Sequence, residues 1–473
     1  MIEITKHSEL YIKIDTDDYL FIRDLKNYFT DYVDGFRHMP TYRAGQWNGK
    51  ICVMKNNNTL PYGLLIDLIK FVKKEYPTQK LNISKDVSSM FNGSEYDIEP
   101  SLSKIPRDYQ MDCIEASLKF KKGIIRSSTA SGKSLIIAYI INILKETNNI
   151  NRSLIIVPTI SLTEQFYNDL IDYGINKNKI GQVHAKSKEF NKEIVISTWQ
   201  SLSRNHDKLH LYDCVICDEV HSARAHDVKK ILEKCSNANY RIGFTGTLPN
   251  SKLDMWNIKS FLGPVLRDYG AGELAEKGYI SKCKVNMIQI NYHKEYEGDY
   301  NEIKDDIFNN SFRMKLLEDI AFQVDSNILI LVGKVEKEGK ILKDYFDKSK
   351  QLNNKEIVFL WGDSDVKERE FWRKECEKRK NIVLIATYGI LSVGVNIPSL
   401  KYILFASPFK SKIRILQSIG RSLRIHEDKT EGSIIYDIVD NVKFLKDHAD
   451  KRIRYYDSEG FTVEESKIQE IID

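Results

Sequence analysis

Three stretches of this sequence place reactive side chains at spacings that suit chemistry on a phosphoanhydride. In IIRSSTASGKSLIIAYI, residues 124–140, Gly132 is followed by Lys133 and Ser134. In CVICDEVH, an apolar run closes on the adjacent carboxylates Asp218 and Glu219. In QSIGRSLR, residues 417–424, Gln417, Arg421 and Arg424 recur at helical spacing. An ammonium and a hydroxyl at a helix start can hold phosphates and Mg²⁺. Paired carboxylates can hold a cation and polarise a water. Arginines can stabilise charge that develops on a transferring phosphoryl group.

The first stretch reads as strand, loop and helix, the context a phosphate-binding loop needs. KGIIR is a short buried strand, and KSLIIAYIINIL is apolar on most faces, as suits a helix packed on a sheet. Backbone donors would come from Ser128, Thr129, Ala130, Ser131 and Gly132. Lys133 would neutralise the β and γ phosphates, and Ser134 would reach Mg²⁺. The pattern G-x-x-x-x-G-K-[ST] asks for glycine at the position of Ser127. A serine is tolerable there if its φ is negative. Asp218 would reach the Mg²⁺ shell and Glu219 would polarise the attacking water. Together the two motifs point to ATP hydrolysis with ATP and Mg²⁺ as cofactors.

These groups need a scaffold, and the sequence supplies one twice. Apolar runs at 153–158, 193–198, 213–219 and 241–247 alternate with helical stretches, the signature of a parallel sheet. Runs at 327–333, 356–362, 381–387, 401–407 and 432–440 repeat it without a second phosphate loop. The expected fold is α/β, with two parallel-sheet domains and a nucleotide cleft between them. The second domain would bring Gln417, Arg421 and Arg424 on one helix face, with Gly420 allowing close approach.

Length and composition set the bounds. The chain has 473 residues, 42% hydrophobic and 29% charged, with a net charge of +5. That is ordinary globular composition, enough for two to four domains. The mild charge permits a polyanionic partner without requiring one. No apolar stretch has the length of a membrane span, and the start MIEITKHSEL is no signal peptide. Seven scattered cysteines suit a reducing cytosol. Cys214 and Cys217 form a C-x-x-C that reads as a buried strand, because no second pair completes a metal site.

The ordered motifs resemble those of superfamily 2 helicases and translocases. RDYQ (107–110) resembles the adenine-reading Q motif, SSTASGKS motif I, VPTISLTEQ (157–165) motif Ia and STWQSL (197–202) motif Ib. DEVH resembles motif II, TGT (245–247) motif III, IATYGILSVGVNIP (385–398) motif V and QSIGRSLR motif VI. They occur in family order over roughly residues 100–445. The resemblance implies two RecA-like domains. It implies adenine contacts from Arg107 and Gln110, and nucleotide contacts from Gly394 and Asn396. It makes Thr159, Thr198, Gln200 and Thr387 candidates for nucleic-acid backbone contact. Thr245 and Thr247 would couple hydrolysis to domain movement. The DEVH box fits DEAD-box RNA helicases less well.

The first hundred residues lie outside these motifs. Acids and bases nearly balance there, but no acid occurs from Gly35 to Ile66. That window interleaves Arg37, Arg43 and Lys50 with Phe36, Tyr42, Trp47 and Tyr62, a pattern suited to phosphate neutralisation and base stacking. The same aromatics could equally be the core of a small α+β domain. The window also resembles the N-terminal region of UvsW-type phage recombination DNA helicases. That family implies fork regression, branch migration and R-loop unwinding in recombination and repair, with single strands stimulating the ATPase. The protein itself is expected to be a monomer in the cytoplasm, the host's if phage-encoded, with no membrane partner. The expected division is 1–100 nucleic-acid-binding domain and linker, 101–270 first RecA-like domain, 271–445 second RecA-like domain, and 446–473 helical tail. Residues 81–100 read as linker, and 285–320 as a strand followed by helices. An RNA helicase and the motor subunit of a restriction system remain alternatives.

Overall fold

The computed structural model describes residues 1–96, 101–222, 225–391, 397–407 and 411–470. The chain divides into two compact units: Met1–Ser127 with Gly132–Asp268, and Tyr269–Asp473 with the loop residues Ser128–Ser131.

The first unit opens with a four-stranded sheet in the order Thr59–Pro61, Tyr11–Asp15, Ile2–Lys6, Leu81–Ile83. Alternation puts Ile2, Ile4, Ile12 and Ile14 in the core, all fully buried. Helices Tyr19–Tyr28 and Leu65–Glu75 supply Phe21, Leu25, Leu68 and Val72 to that core. Of the stretch expected as linker, residues 81–90 are therefore folded into this module. Leu81–Ile83 is a strand paired in parallel with Ile2–Ile4, and Ser84 caps the helix Lys85–Ser89. Buried Val87 and Met90 anchor this stretch, and its Ser/Asn-rich composition hid them.

The same unit contains an eight-stranded sheet. Its order is Ser187–Lys188, Ile180–His184, Ile194–Thr198, Ser153–Val157, Cys214–Cys217, Tyr240–Thr245, Lys122–Ser127, Val265–Tyr269. The central strands are parallel, apolar and fully covered. Cys214 and Cys217 are buried, and burial pushes both thiols up, as a structural strand requires.

Helix Lys252–Leu262 joins the two sheets. Ser251 caps it by accepting from the Asp254 amide at 3.3 Å. Trp256 packs 5.3 Å from the Phe29 ring, Tyr62 donates to the Phe261 carbonyl at 2.7 Å, and Lys259 pairs with Asp67 at 3.0 Å. Gly63 lies so close that a Cβ there would sit 1.7 Å from the Lys259 carbonyl oxygen. One continuous hydrophobic core runs from Ile2 to Leu262. The N-terminal module is thus built onto the eight-stranded sheet rather than tethered to it.

The second unit is a seven-stranded sheet in the order Glu356–Leu360, Ile382–Thr387, Ile328–Val332, Tyr402–Phe405, Ser433–Asp440, Cys283–Asn291, Thr462–Gln469. Every pairing in it is parallel. Helices Tyr300–Phe308 and Ser311–Gln323 follow its first strand, as read from 285–320. Buried ion pairs fix helices to the sheet: Arg313 with Asp440 at 2.9 Å, and Arg452 with Asp437 at 2.8 Å.

The expected helical tail is helix only to Ser458. Thr462–Gln469 is a strand, registered from Lys284↔Thr462 to Asn291↔Gln469. It is an exposed edge, so Glu464, Glu465 and Lys467 sit in solvent and erase the apolar alternation that would have marked a strand. Among the described residues no helix is long and apolar enough to cross a membrane.

Candidate active site

The site assembles at the carboxyl ends of the first unit's parallel strands, where open α/β sheets bind ligands. Strand Lys122–Ser127 leads through the loop 128–132 into helix Lys133–Glu146. Ser127 is buried and its backbone is not in the left-handed region, so the serine fits where the motif asks for glycine. The loop bends instead at Ala130, φ +68°, and Gly132, φ +74°. The Ser131 amide donates to the Ser128 carbonyl at 3.2 Å. A Cβ on Gly132 would meet Gln110 Nε2 at 2.6 Å, so the Gln110 amide lies against this loop. Gln110 Oε1 also accepts from the Arg107 amide at 2.9 Å, while the Arg107 side chain is exposed.

Lys133, the first residue of its helix, places Nζ 3.5 Å from Glu219 Oε1 and 3.4 Å from the Ser127 carbonyl. Asp218 follows strand Cys214–Cys217, and its amide donates to the Ile156 carbonyl of the neighbouring strand at 2.8 Å. Its carboxylate is buried and Oδ1 has no hydrogen-bond partner. Burial first, and the Glu219 charge second, raise its pKa well above the usual carboxylate range, with Lys133 pulling the other way. Glu219 has φ +49°, a left-handed turn that redirects the chain at the strand end.

His221 is a site residue the sequence reading passed over. Its Nδ1 lies 2.5 Å from Thr245 Oγ1 and 3.4 Å from Glu219 Oε2. Burial lowers its pKa, and the neighbouring Lys133 charge adds to that while Glu219 opposes it. Thr245 Oγ1 in turn donates to the Thr247 carbonyl at 2.8 Å and accepts from the Thr247 amide at 3.2 Å. Polar groups therefore line up from Lys133 past Glu219 to His221, and hydrogen bonds continue from His221 through Thr245 to Thr247. The spacing Asp-Glu-x-His was visible; its link to a threonine on the next strand was not.

Ser134 Oγ and Tyr173 OH share a hydrogen bond at 2.9 Å. Thr159 caps helix Ile160–Asp172 by accepting from the Leu162 amide at 3.3 Å, and Thr198 Oγ1 donates to Ser201 Oγ at 3.0 Å. Both stand on adjacent strand ends, since Thr198 pairs with Val157. Gln200 is exposed.

In the second unit Thr387 is buried at its strand end. Gly394 and Asn396 lie outside the described residues. Helix Lys412–Gly420 holds Gln417 but stops before the arginines. Arg421 and Arg424 occupy a turn, with Ser422 donating to the Ile419 carbonyl at 2.8 Å, so they do not share a helix face. The i, i+3 spacing survives in a tighter turn, but helical register does not.

In the acid-free window the aromatics pack on one another. Tyr32 stacks on Phe36 at 4.5 Å, and Phe36 meets Tyr42 edge-on at 4.8 Å. The Trp47 indole N–H donates to the Lys50 carbonyl at 2.9 Å. Arg37, Arg43 and Lys50 are exposed around this cluster. The Arg37 guanidinium lies 5.7 Å from the Phe36 ring and the Lys50 ammonium 4.7 Å from the Tyr32 ring.

Family models cover most of the chain in this order. One described as DNA helicase UvsW, N-terminal, matches residues 2–80. One described as type III restriction enzyme, res subunit, matches 103–250, and one described as helicase conserved C-terminal domain matches 313–426. In these ordered matches the chain resembles superfamily 2 helicases of the UvsW type. It is 28% identical to the ATP-dependent DNA helicase uvsW of Enterobacteria phage T4, over 96% of this chain and 93% of that one. It is 25% identical to the DNA 3'-5' translocase XPB2 of Sulfurisphaera tokodaii, over 75% of this chain and 88% of that one. The crystal structure of T4 UvsW shares its fold, at a TM-score of 0.50 and 23% identity over 99% of both chains.

Proposed function

We propose that this UvsW-type helicase uses ATP hydrolysis to remodel branched DNA, by fork regression, branch migration or R-loop unwinding. The observation that carries the hydrolytic reading is the Lys133–Glu219 pair, 3.5 Å apart, beside the buried and unpartnered Asp218 oxygen. Two adjacent carboxylates with one lysine form a site short of positive charge, which fits a divalent cation. Among the described residues no cluster of three or more His, Cys, Asp or Glu forms a cage. Mg²⁺ commonly binds that way, through one or two side chains plus substrate phosphates. Asp218 and Ser134 would hold it, and when bound it would neutralise charge on the β and γ oxygens.

Lys133 then transfers its ammonium from Glu219 to the phosphates, and Glu219 is released to orient the attacking water. His221, hydrogen-bonded to Thr245, stands 3.4 Å from the second Glu219 oxygen and limits where that carboxylate can turn. Gln110 and Arg107 read the adenine side of the loop. Arg421 and Arg424 of the second unit, with Gln417, supply charge to the γ phosphate in the transition state. Thr159, Thr198, Gln200 and Thr387 contact the track, and Arg37, Arg43, Trp47 and Lys50 form the branched-DNA surface. The packed aromatics favour phosphate neutralisation over base stacking in that surface.

The test compares ATP turnover with single-stranded DNA, duplex, fork, four-way junction, R-loop and RNA as stimulators. Branched DNA and single strands should stimulate most. Stimulation by RNA alone would replace this reading with an RNA helicase. Lys133→Ala should abolish turnover while DNA binding persists; turnover at the wild-type rate would remove Lys133 from the site.

A further inference from the structure

The turn that carries Arg421 and Arg424 is held from outside itself. The Ser422 carbonyl accepts two bonds, from Lys429 Nζ at 2.7 Å and from Ser433 Oγ at 2.5 Å. The Leu423 carbonyl accepts from the Ser281 amide at 2.7 Å, and the Arg424 carbonyl from Ser281 Oγ at 2.9 Å. Carbonyls beyond a helix end have no partner within the helix and commonly turn to water. Here three successive ones are taken by buried donors: Lys429 is 5% exposed, Ser433 1% and Ser281 8%.

The sheet brings these donors together. Ser433 opens strand Ser433–Asp440, and Cys283 pairs with it at the start of the parallel neighbour, two residues after Ser281. Lys429 arrives on the short turn Glu427–Lys429, which Gly432 closes at φ +90°. A Cβ on Gly432 would meet the Lys282 carbonyl oxygen at 2.5 Å, so the chain must return tightly to the sheet there. Between the donors, Ser422 and Leu423 are buried, while Arg421 and Arg424 on either side are half-buried.

Lys429 is a costly choice for this task. Burial pulls its pKa down to about 8, and the Arg424 charge adds to the effect. A buried ammonium on a main-chain carbonyl, beside another cation, does little for stability that a neutral donor would not do. Such local conflicts concentrate where function requires them.

We infer that Lys429 and Ser281 are positioning residues for ATP hydrolysis, fixing the main chain of 421–424 so that Arg421 and Arg424 are presented in one orientation. This rests on the reading that those arginines act in the hydrolytic step. The clamp works on geometry rather than on substrate: a guanidinium displaced by about 1 Å loses up to about 100-fold in rate.

The test uses the full chain, with ATP hydrolysis stimulated by poly(dT). Lys429→Met and Ser281→Ala should each lower kcat, by about 10-fold or more, with KM for ATP nearly unchanged. Ser281→Thr, which keeps the hydroxyl, should restore turnover. In an Arg421→Ala/Arg424→Ala background neither clamp variant should cause further loss, because the groups it positions are gone. Equal loss in both backgrounds, or full kcat in the clamp variants, overturns the inference. If the arginine-less chain itself turns over at the wild-type rate, the arginine assignment fails and the clamp falls with it. Should Lys429→Met unfold, Ser281→Ala, which removes a single hydroxyl, carries the same comparison.

Discussion

Lys122 offers the most direct check on the seam between the N-terminal module and the first motor sheet. It opens strand Lys122–Ser127, is 3% exposed, and places its ammonium 4.6 Å from the ring centre of buried Tyr62. Burial lowers its pKa from 10.5 to about 7; the Arg241 charge adds to this, with smaller effects from Lys6 and Lys121, and Glu9 offsets part. That interval corresponds to a cost of at most about 5 kcal/mol for the charged form. Relaxation and water entry at a strand start reduce it, so about 2 kcal/mol is expected in practice. The folded-state pKa lies below the unfolded one. Below about 7 both states are protonated and the full cost is present. Between about 7 and 10.5 the unfolded chain binds a proton that the folded chain does not, so stability rises with pH.

Lys122→Met keeps the aliphatic stem and removes the charge. Amide hydrogen exchange of peptides covering Lys122–Ser127 should show about 30-fold more protection in the variant near pH 6, equivalent to about 2 kcal/mol. The gain should fade as pH rises from about 7 towards 10.5, because the folded lysine is then neutral and the burial cost of its charge is gone. An equal gain at both pH values would mean that packing, not charge, was responsible. Lower protection at pH 6 would refute the burial cost altogether.

Gly63→Ala should undock the N-terminal module, because the new Cβ would meet main chain at the Lys259 carbonyl and no rotamer can relieve it. A cost of about 3 kcal/mol or more is expected, read as a separate early unfolding transition; an unchanged melting curve would contradict it. Arg421→Ala should lower turnover by about 10³-fold or more with little change in KM for ATP, and a change in KM alone would make Arg421 a ground-state contact. Replacing Arg37, Arg43 and Lys50 together with alanine should weaken branched-DNA binding and flatten its salt dependence by at most about three in slope. Retained affinity would mark them as a solvated face.

The buried parallel strands and the strand–loop–helix at Lys122–Glu146 were legible in the sequence. Runs such as Ser153–Val157 and Ile382–Thr387 are continuous β-branched and apolar segments, because both sheet faces are covered. That loop and the Asp218–Glu219 pair were legible because their placement depends on local order in the chain: a glycine, a lysine and a hydroxyl at a helix start, two acids at a strand end. Local order could not reveal the rest. Strand Thr462–Gln469 is an exposed edge whose charges mimic a solvated helix, and only its pairing with Cys283–Asn291 makes it a strand. Helix Lys412–Gly420 gives way to a tighter turn at 421–424, whose carbonyls are held by Ser281, Lys429 and Ser433, distant in sequence or beyond the turn. His221 joins the site only because Thr245 stands on the adjacent strand. The aromatic residues of the first hundred could face a base or a core, and the packing of Phe29 and Tyr62 against helix Lys252–Leu262 decided it for those two. Sequence determined which groups exist and the local turns that present them. Tertiary structure decided which distant groups meet, since hydrogen bonds and packing between strands depend on register and not on distance along the chain.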